Sequence, residues 1–494
     1  MPCTTLLVGK KASYDGSTMI ARDHDSGSGS FDPKKFVVVQ PEDQPRVYTS
    51  KISHLTISLP DPPMRYTALP NVIPDNGIWG GSGVNELNVS MTATETLTSN
   101  ERVLGADPLV VYQPASGSTP EVPGGIGEED MLTLILPYMR SAREGVQLLG
   151  SYLERYGTYE MNGIAFSDLE EIWWLETIGG HHWIARRVPD EAYVVMPNWF
   201  GIDDFDLEDA MGEQMDHMCS PDLPEFIEKN HLDLTLEGGF NARLAFGSHS
   251  DADHTYNTPR AWFVQRYFNP RSFTWDGPMA DFRPDDDDLP WAMIPERKIT
   301  VEDVKYALSG TYQGTPYDPY GKDEGSTVRG LLRPIGINRN NFLSVVQLRP
   351  YVGEANRAVE WLAFGSNAFN ALVPFYANIN AAPEYMANTG AEISTDSFYW
   401  NNRLIAALAD AHYRSCANLI ERYQLSVQSR GHALINRFDK LFGLDLPYDD
   451  GASLCEEANQ AIADMLKKET ADTLAAMLHE ASNHMKNAFS RSDA

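Results

Sequence analysis

The chain has 494 residues, 42% of them hydrophobic and 22% charged, so it can bury a large core and global disorder is excluded. Its 69 Asp and Glu against 39 Lys and Arg leave a formal charge of −30, which speaks against a nucleic-acid or anionic-membrane partner, since either needs a basic face. No run of about 18 apolar residues is present to cross a membrane.

The first nine residues, Met1 to Gly9, carry no basic stretch ahead of their short apolar run and do not read as a secretory signal. Cys3 to Val8 has strand character, Asp15-Gly16 is a turn pair, and Ser17 to Arg22 is a second strand, so the chain opens on a hairpin. Asp23 to Gly29 reads as a polar, glycine-rich loop. Lys35 to Gln40 is a strand, and one more is expected near Arg65 to Leu69 in a proline-rich stretch. Gly77 to Thr96 gives two strands around a glycine-rich bend, with Val89, Met91 and Ala93 alternating against polar residues.

Residues 129–157 are helical in pattern, interrupted at Pro137, with Ser141 to Glu144 as a capping box opening the second helix. Residues 159–197 switch to four short β runs, read as an antiparallel meander. Residues 200–340 are mixed and loop-rich, and the acidic run Asp285 to Asp288 is a solvated loop. Phe342 to Leu348 and Ala358 to Phe364 are strands. Four helical stretches follow: Ser394 to Tyr423, Val427 to Leu441, Ser453 to Lys468 and Ala471 to Phe489. The order of strands, helices, strands and helices predicts an α+β fold with antiparallel sheets: a body over residues 1–385 and a helical C-terminal region over 386–494.

The four cysteines, Cys3, Cys219, Cys416 and Cys455, lie far apart without CxxC spacing. They are expected as unpaired thiols in a cytoplasmic protein, not as a disulfide framework or a cysteine zinc site. Cys3 is the one with chemistry. If Met1 and Pro2 are removed as a short propeptide, Cys3 carries both a thiol and an α-amine of ordinary pKa ~7.7–8.0, nucleophile and base on one residue. The hairpin returns Arg22 and Asp25 toward it. The guanidinium would favour the thiolate and the carboxylate could orient the amine.

Other chemistries are weaker. His249-Ser250-Asp251-Ala252-Asp253-His254 mixes imidazoles and carboxylates, but neither it nor His181-His182 has an HExxH pattern, and adjacent histidines on a strand point to opposite faces. No metal site is expected. A GxSxG elbow and a GK[ST] phosphate loop are both absent.

The opening MPCTTLLVGKKASYDGSTMIARDHD resembles the C69 family of dipeptidases, the dipeptidase A or D type. It is more distantly similar to the secernins and to the choloylglycine hydrolase and penicillin V acylase group, all N-terminal nucleophile (Ntn) hydrolases. The acylases' Arg-x-x-Asp motif has its counterpart in Arg22 to Asp25. Further likenesses are Trp79 to Glu86, Asn162 to Glu176, Gly179 to Ala185, and Tyr256 to Trp262.

The resemblance implies a four-layer αββα sandwich and hydrolysis of dipeptides through a Cys3 thioester, with no cofactor and no metal. It implies Cys3, Arg22 and Asp25 as catalytic residues. Oxyanion or substrate contacts would come from Asn85, Glu95, Ser167, Asp168 and Arg260. Backbone N–H groups near Gly83 to Asn85 or at Ser167-Asp168 would hold the oxyanion, Glu95 the substrate's ammonium, and Arg260 either the site itself or the substrate carboxylate. The C-terminal helices would cover the body or an interface in a homo-oligomer. Two alternatives stay open: an amidase or acylase on N-acyl amino acids, and a secernin-like binding protein without turnover.

Overall fold

The computed structural model describes residues 3–27, 30–322, 325–442 and 448–485. Two antiparallel sheets lie face to face. The first contains β1 (Thr4–Val8) and β2 (Thr18–Asp25) at its centre. The second is built from β3 (Ser82–Val84), β4 (Ser90–Thr96), β5 (Asn162–Ser167), β6 (Ile172–Thr177) and β7 (Trp183–Arg187). β8 (Tyr193–Met196) returns to the first sheet, β9 (His217–Cys219) edges the second, and β10 (Ala292–Met293), β11 (Asn340–Leu348), β12 (Ala358–Phe364) and β13 (Val373–Tyr376) complete the first. The strand orders are β10-β8-β1-β2-β11-β12-β13 and β9-β7-β6-β5-β4-β3.

Helices α1 (Glu128–Ile135) and α2 (Ala142–Tyr156) pack on the outer face of the second sheet. α3 (Thr258–Phe268), α4 (Phe398–Ala411), α5 (Tyr413–Asp439) and α6 (Tyr448–Asn483) cover the first. The protein is α+β, and its layers run helix, sheet, sheet, helix. With both faces of each sheet covered, the strands are buried along nearly their whole length. On β5 and β6, Ala165 and Trp174 belong to the larger core shared with the first sheet, while Ile164, Phe166, Trp173 and Leu175 pack beneath α1 and α2. No described helix is long and apolar enough to cross a membrane.

The opening hairpin turns at Gly16, whose φ of +86° suits glycine. Its second strand runs three residues beyond the expected end, through Arg22-Asp23-His24-Asp25, and all eight of its residues are buried. Four polar residues in a row imitate a solvated loop. They form a strand here because other elements supply their partners. The four β runs of 162–196 do not form one meander. The first three do, but β8 crosses to the other sheet and pairs with β1, Leu6 opposite Val195 and Leu7 opposite Val194. That crossing covers the edge of β1 that β2 leaves open.

Ser141 caps α2 by accepting from Glu144 N at 3.1 Å, while Glu144 accepts in return from Arg140 N at 2.9 Å, one residue earlier than a capping box requires. In the C-terminal region two expected breaks are absent. α5 runs through 423–427 and α6 through 468–471, since no Gly or Pro stops them, and the Tyr423 hydroxyl meets Thr470 Oγ1 at 3.0 Å between the two helices. The break falls instead at His412. The last expected helical residues, after Met485, lie outside the described residues, as do Met1 and Pro2.

Candidate active site

Cys3 stands at the mouth of β1. The β1–β2 register sets Thr5 opposite Arg22 and carries His24 level with Cys3. By the two-residue alternation of strands, Cys3, Thr5, Arg22 and His24 share the face that meets the second sheet. Thr5 Oγ1 donates to Glu95 Oε1 of β4 at 2.6 Å, closing the seam between the sheets. Into this seam α1 inserts its first residue. Arg22 Nη2 donates to Cys3 Sγ at 3.1 Å and to Glu128 Oε1 at 2.6 Å. His24 stacks on Phe342, ring centroids 4.9 Å apart, with Nε2 3.6 Å from the same Glu128 oxygen. Cys3, Arg22 and His24 are 0% exposed and Glu128 is 2% exposed.

Burial pushes the Cys3 thiol up to about 12, the Arg22 guanidinium opposing it only in part. A thiol held this way is protonated at neutral pH and needs a base. Burial also acts to raise Glu128, but the Arg22 guanidinium beside it holds its carboxyl well below the usual range. Glu128 is therefore an anion and Arg22 its cation. Burial drives His24 down to about 3, so it is neutral, and lowers Lys34 to about 7. Lys34 Nζ donates to Trp79 O at 2.9 Å. Glu95 is lifted by burial to about 8.

The other face of the hairpin holds Thr4, Asp23 and Asp25. Asn340 Nδ2 bridges the two acids, 3.0 Å from Asp23 Oδ1 and 2.6 Å from Asp25 Oδ1, and Arg333 pairs with Asp25. Asn367 Nδ2 donates to Asp23 Oδ1 at 2.6 Å. A three-residue step on a strand reverses the face, so Asp25 lies on the face opposite Arg22. There it is part of the anchorage of β2. Arg260, on α3, donates to Cys3 O, to Thr4 Oγ1 at 2.8 Å, and to Asn198 Oδ1 and Asn257 Oδ1 at 2.7 Å each. Its Nε donates to Tyr256 O, so all of its guanidinium nitrogens are engaged within the chain at the start of β1 and α3.

Asn85, Ser167 and Asp168 are not brought to Cys3. β4 and β5 run antiparallel with Ser90 opposite Ser167 and Glu95 opposite Gly163. Ser167 is thus five residues, about 17 Å along the strand, from the Cys3 end of β5. Asn85 sits at that same far end. Its Nδ2 donates to Leu136 O at 3.0 Å and Met139 O at 2.8 Å, and its Oδ1 accepts from Leu87 N and Val89 N. Asp168 starts α2, accepting from Ala142 N at 2.9 Å, and also takes Glu170 N at 2.8 Å and Glu171 N at 3.0 Å. Asp168→Ala is expected to lower stability by about 1–2 kcal/mol in denaturant unfolding with kcat/KM nearly unchanged. A loss of turnover larger than the loss of folded protein would return Asp168 to the site. Asn162, paired with Thr96, is the residue of β5 at the Cys3 end.

Sequence reading missed Glu128 and left His24 without a role. Glu128-Glu129-Asp130 looks like an acidic first turn placed for the helix dipole at a solvated surface. All three are in fact buried. Glu129 takes Ser50 Oγ and the N–H groups of Lys51 and Ile52, and Asp130 takes Tyr48 OH and Gly127 N. The only available signal was three acids in succession with no basic residue within a helical turn.

His181 and His182 precede β7 and do not point apart: both rings meet Asp107, at 3.1 and 2.7 Å. His254 meets Asp287 at 3.1 Å, and Asp253 holds Asn257, the partner of Arg260. Among the described residues no group of three His, Cys, Asp or Glu side chains is arranged to hold a metal ion.

The family model for peptidase family C69 matches residues 2–426. A dipeptidase of Bifidobacterium longum is 56% identical over the full length of both chains. A probable dipeptidase A of Streptococcus pyogenes serotype M3 is 51% identical, again over both full lengths. Dipeptidase A of Lactobacillus helveticus is 44% identical over 97% of this chain and 96% of its own. With the match running from the buried Cys3 hairpin through both sheets and into α5, this chain belongs to peptidase family C69.

Proposed function

We propose that this chain hydrolyses dipeptides, with Cys3 as the nucleophile and a thioester as the intermediate. The observation that carries the reading is the placement of Arg22 Nη2 3.1 Å from Cys3 Sγ, inside a sealed seam at the residue that leads into β1. A residue just ahead of a strand, tied by Arg260 at its backbone and by Arg22 at its thiol, is fixed far more tightly than packing a small side chain requires.

Removal of Met1 and Pro2 gives Cys3 an α-amine of ordinary pKa ~7.7–8.0. The amine takes the thiol proton, which burial otherwise keeps in place, and the thiolate attacks the scissile carbonyl carbon. Arg22 balances the negative charge. The developing oxyanion is held by N–H donors at the Cys3 end of the seam, and not from Ser167-Asp168 at its far end. The Cys3 ammonium returns its proton to the leaving amine as the C–N bond breaks. Water, activated by the same amine, then attacks the thioester, releasing the first amino acid and restoring the thiol.

Alkylation with iodoacetamide, followed by peptide mapping, tests this. Dipeptide hydrolysis is expected to fall in proportion to Cys3 labelling, a dipeptide to protect both, and the labelled peptide to begin at Cys3. Full turnover by protein whose Cys3 is completely alkylated would overturn the assignment.

A further inference from the structure

Around Cys3, four buried polar atoms have no hydrogen-bond partner among the described residues: Arg22 Nε and Nη1, His24 Nε2 and Glu128 Oε2. Buried polar atoms are normally paired, and four unpaired ones in a single seam mark a place that a polar ligand completes. Of the four, Glu128 Oε2 is the anionic acceptor. Glu160 Oε1 accepts from the backbone N–H of Glu128 at 2.8 Å, so a second carboxylate lies at the start of α1. Burial first, and then Glu128, raise the Glu160 carboxyl. A cation at Oε2 would relieve that repulsion. The other acid of the seam is already occupied, since Glu95 accepts from Thr5 Oγ1 at 2.6 Å and from Asn198 Nδ2 at 3.3 Å.

We propose that Glu128 Oε2 seats the free α-ammonium group of the dipeptide, and that Glu128, not Glu95, restricts the enzyme to substrates with an unblocked amino terminus. The proposal rests on Cys3 being the nucleophile. One guanidinium nitrogen, Arg22 Nη2, touches both Cys3 Sγ at 3.1 Å and Glu128 Oε1 at 2.6 Å, so the two groups are neighbours. The α-nitrogen of a dipeptide lies two bonds, about 2.5 Å, from its scissile carbonyl carbon. A carbonyl presented to Sγ therefore carries its ammonium into reach of the Glu128 carboxylate. An acylated amine offers no charge, adds bulk in a buried space, and leaves Oε2 unpaired, a combination that discriminates strongly.

The test compares alanyl-leucine with propionyl-leucine, the same molecule with the α-amine replaced by hydrogen, in wild type, Glu128→Gln and Glu128→Asp. In E128Q, kcat/KM for alanyl-leucine is expected to fall roughly 10- to 100-fold, largely through KM, as for loss of one hydrogen bond to a charged group. The inhibition constant of propionyl-leucine should move by less than about threefold. E128D keeps the charge but withdraws the oxygen, and should fall between; it also carries the comparison if E128Q does not fold. Equal losses for both compounds would overturn the proposal, because Glu128 would then act only by holding Arg22. Turnover by Cys3→Ala would instead overturn the nucleophile assignment, a result independent of any Glu128 variant.

Discussion

Cys3→Ala is expected to lower kcat for dipeptide hydrolysis by at least about 10⁴-fold, the scale seen when a covalent nucleophile is removed. Stability should change by only about 1 kcal/mol, because one buried sulfur is lost and no charge is stranded. Arg22 keeps its Glu128 partner at 2.6 Å, and Arg260 still holds the backbone carbonyl of residue 3. Steady-state kinetics beside urea unfolding separates the two effects. A variant that retains turnover would exclude Cys3 as nucleophile whatever its thermal behaviour.

Arg22→Met should damage both quantities. The substitution leaves Glu128, 2% exposed, without its counter-ion, and breaking one side of a buried pair costs about 3–5 kcal/mol. It also removes the cation beside the thiol, and kcat/KM should drop by about 10²–10³-fold, as for loss of one preorganised charge-stabilising donor. The pH dependence follows from the sign of the Glu128 shift. In the wild type its folded pKa is depressed, so the stabilisation is complete above the unfolded carboxyl pKa of about 4.3 and is lost as pH falls below it. In the variant, burial acts alone and favours the protonated acid. The stability gap between the two proteins should therefore be widest at neutral pH and narrow below about pH 4.3. Adding Glu128→Gln to Arg22→Met should recover much of the stability and none of the turnover. A gap that stays constant from pH 7 to 3 would show that Glu128 is not the group left exposed to the loss.

Much of the architecture was legible because it is written in local pattern. The opening hairpin, the alternating strand Ser90–Thr96, the Ser141 cap and the β runs of 162–196 each follow from turn residues, caps and hydrophobic period within about ten residues, whereas the turn that joins Ser82–Val84 to Ser90–Thr96 is Asn85–Val89 and not the glycines before it. Cys3 and Arg22 were legible for the same reason, since a hairpin returns its second strand to its first. That Asp25 and Arg22 lie on opposite faces was hidden by the loop assignment: once 23–25 is strand, a spacing of three reverses the face. Ser167 and Asp168 lie five and six residues from the Cys3 end of β5, because resemblance located the right strand and not its end.

By itself, the sequence determined the α+β class, the hairpin that carries Cys3 and Arg22, and the helices that flank the sheets. All of these depend on backbone preference and periodicity between near neighbours. Only the tertiary structure decided that β8 leaves its meander to pair with β1, and that Glu128, 106 residues beyond Arg22, is the anion of the site. It alone decided, too, that Arg260, on a helix 257 residues from Cys3, grips the backbone carbonyl of Cys3. Charge pairing in a buried seam has no sequence period. A carboxylate that will be sealed beside a guanidinium looks, residue by residue, like one facing water, and only the packing of two sheets and a helix end removes that water.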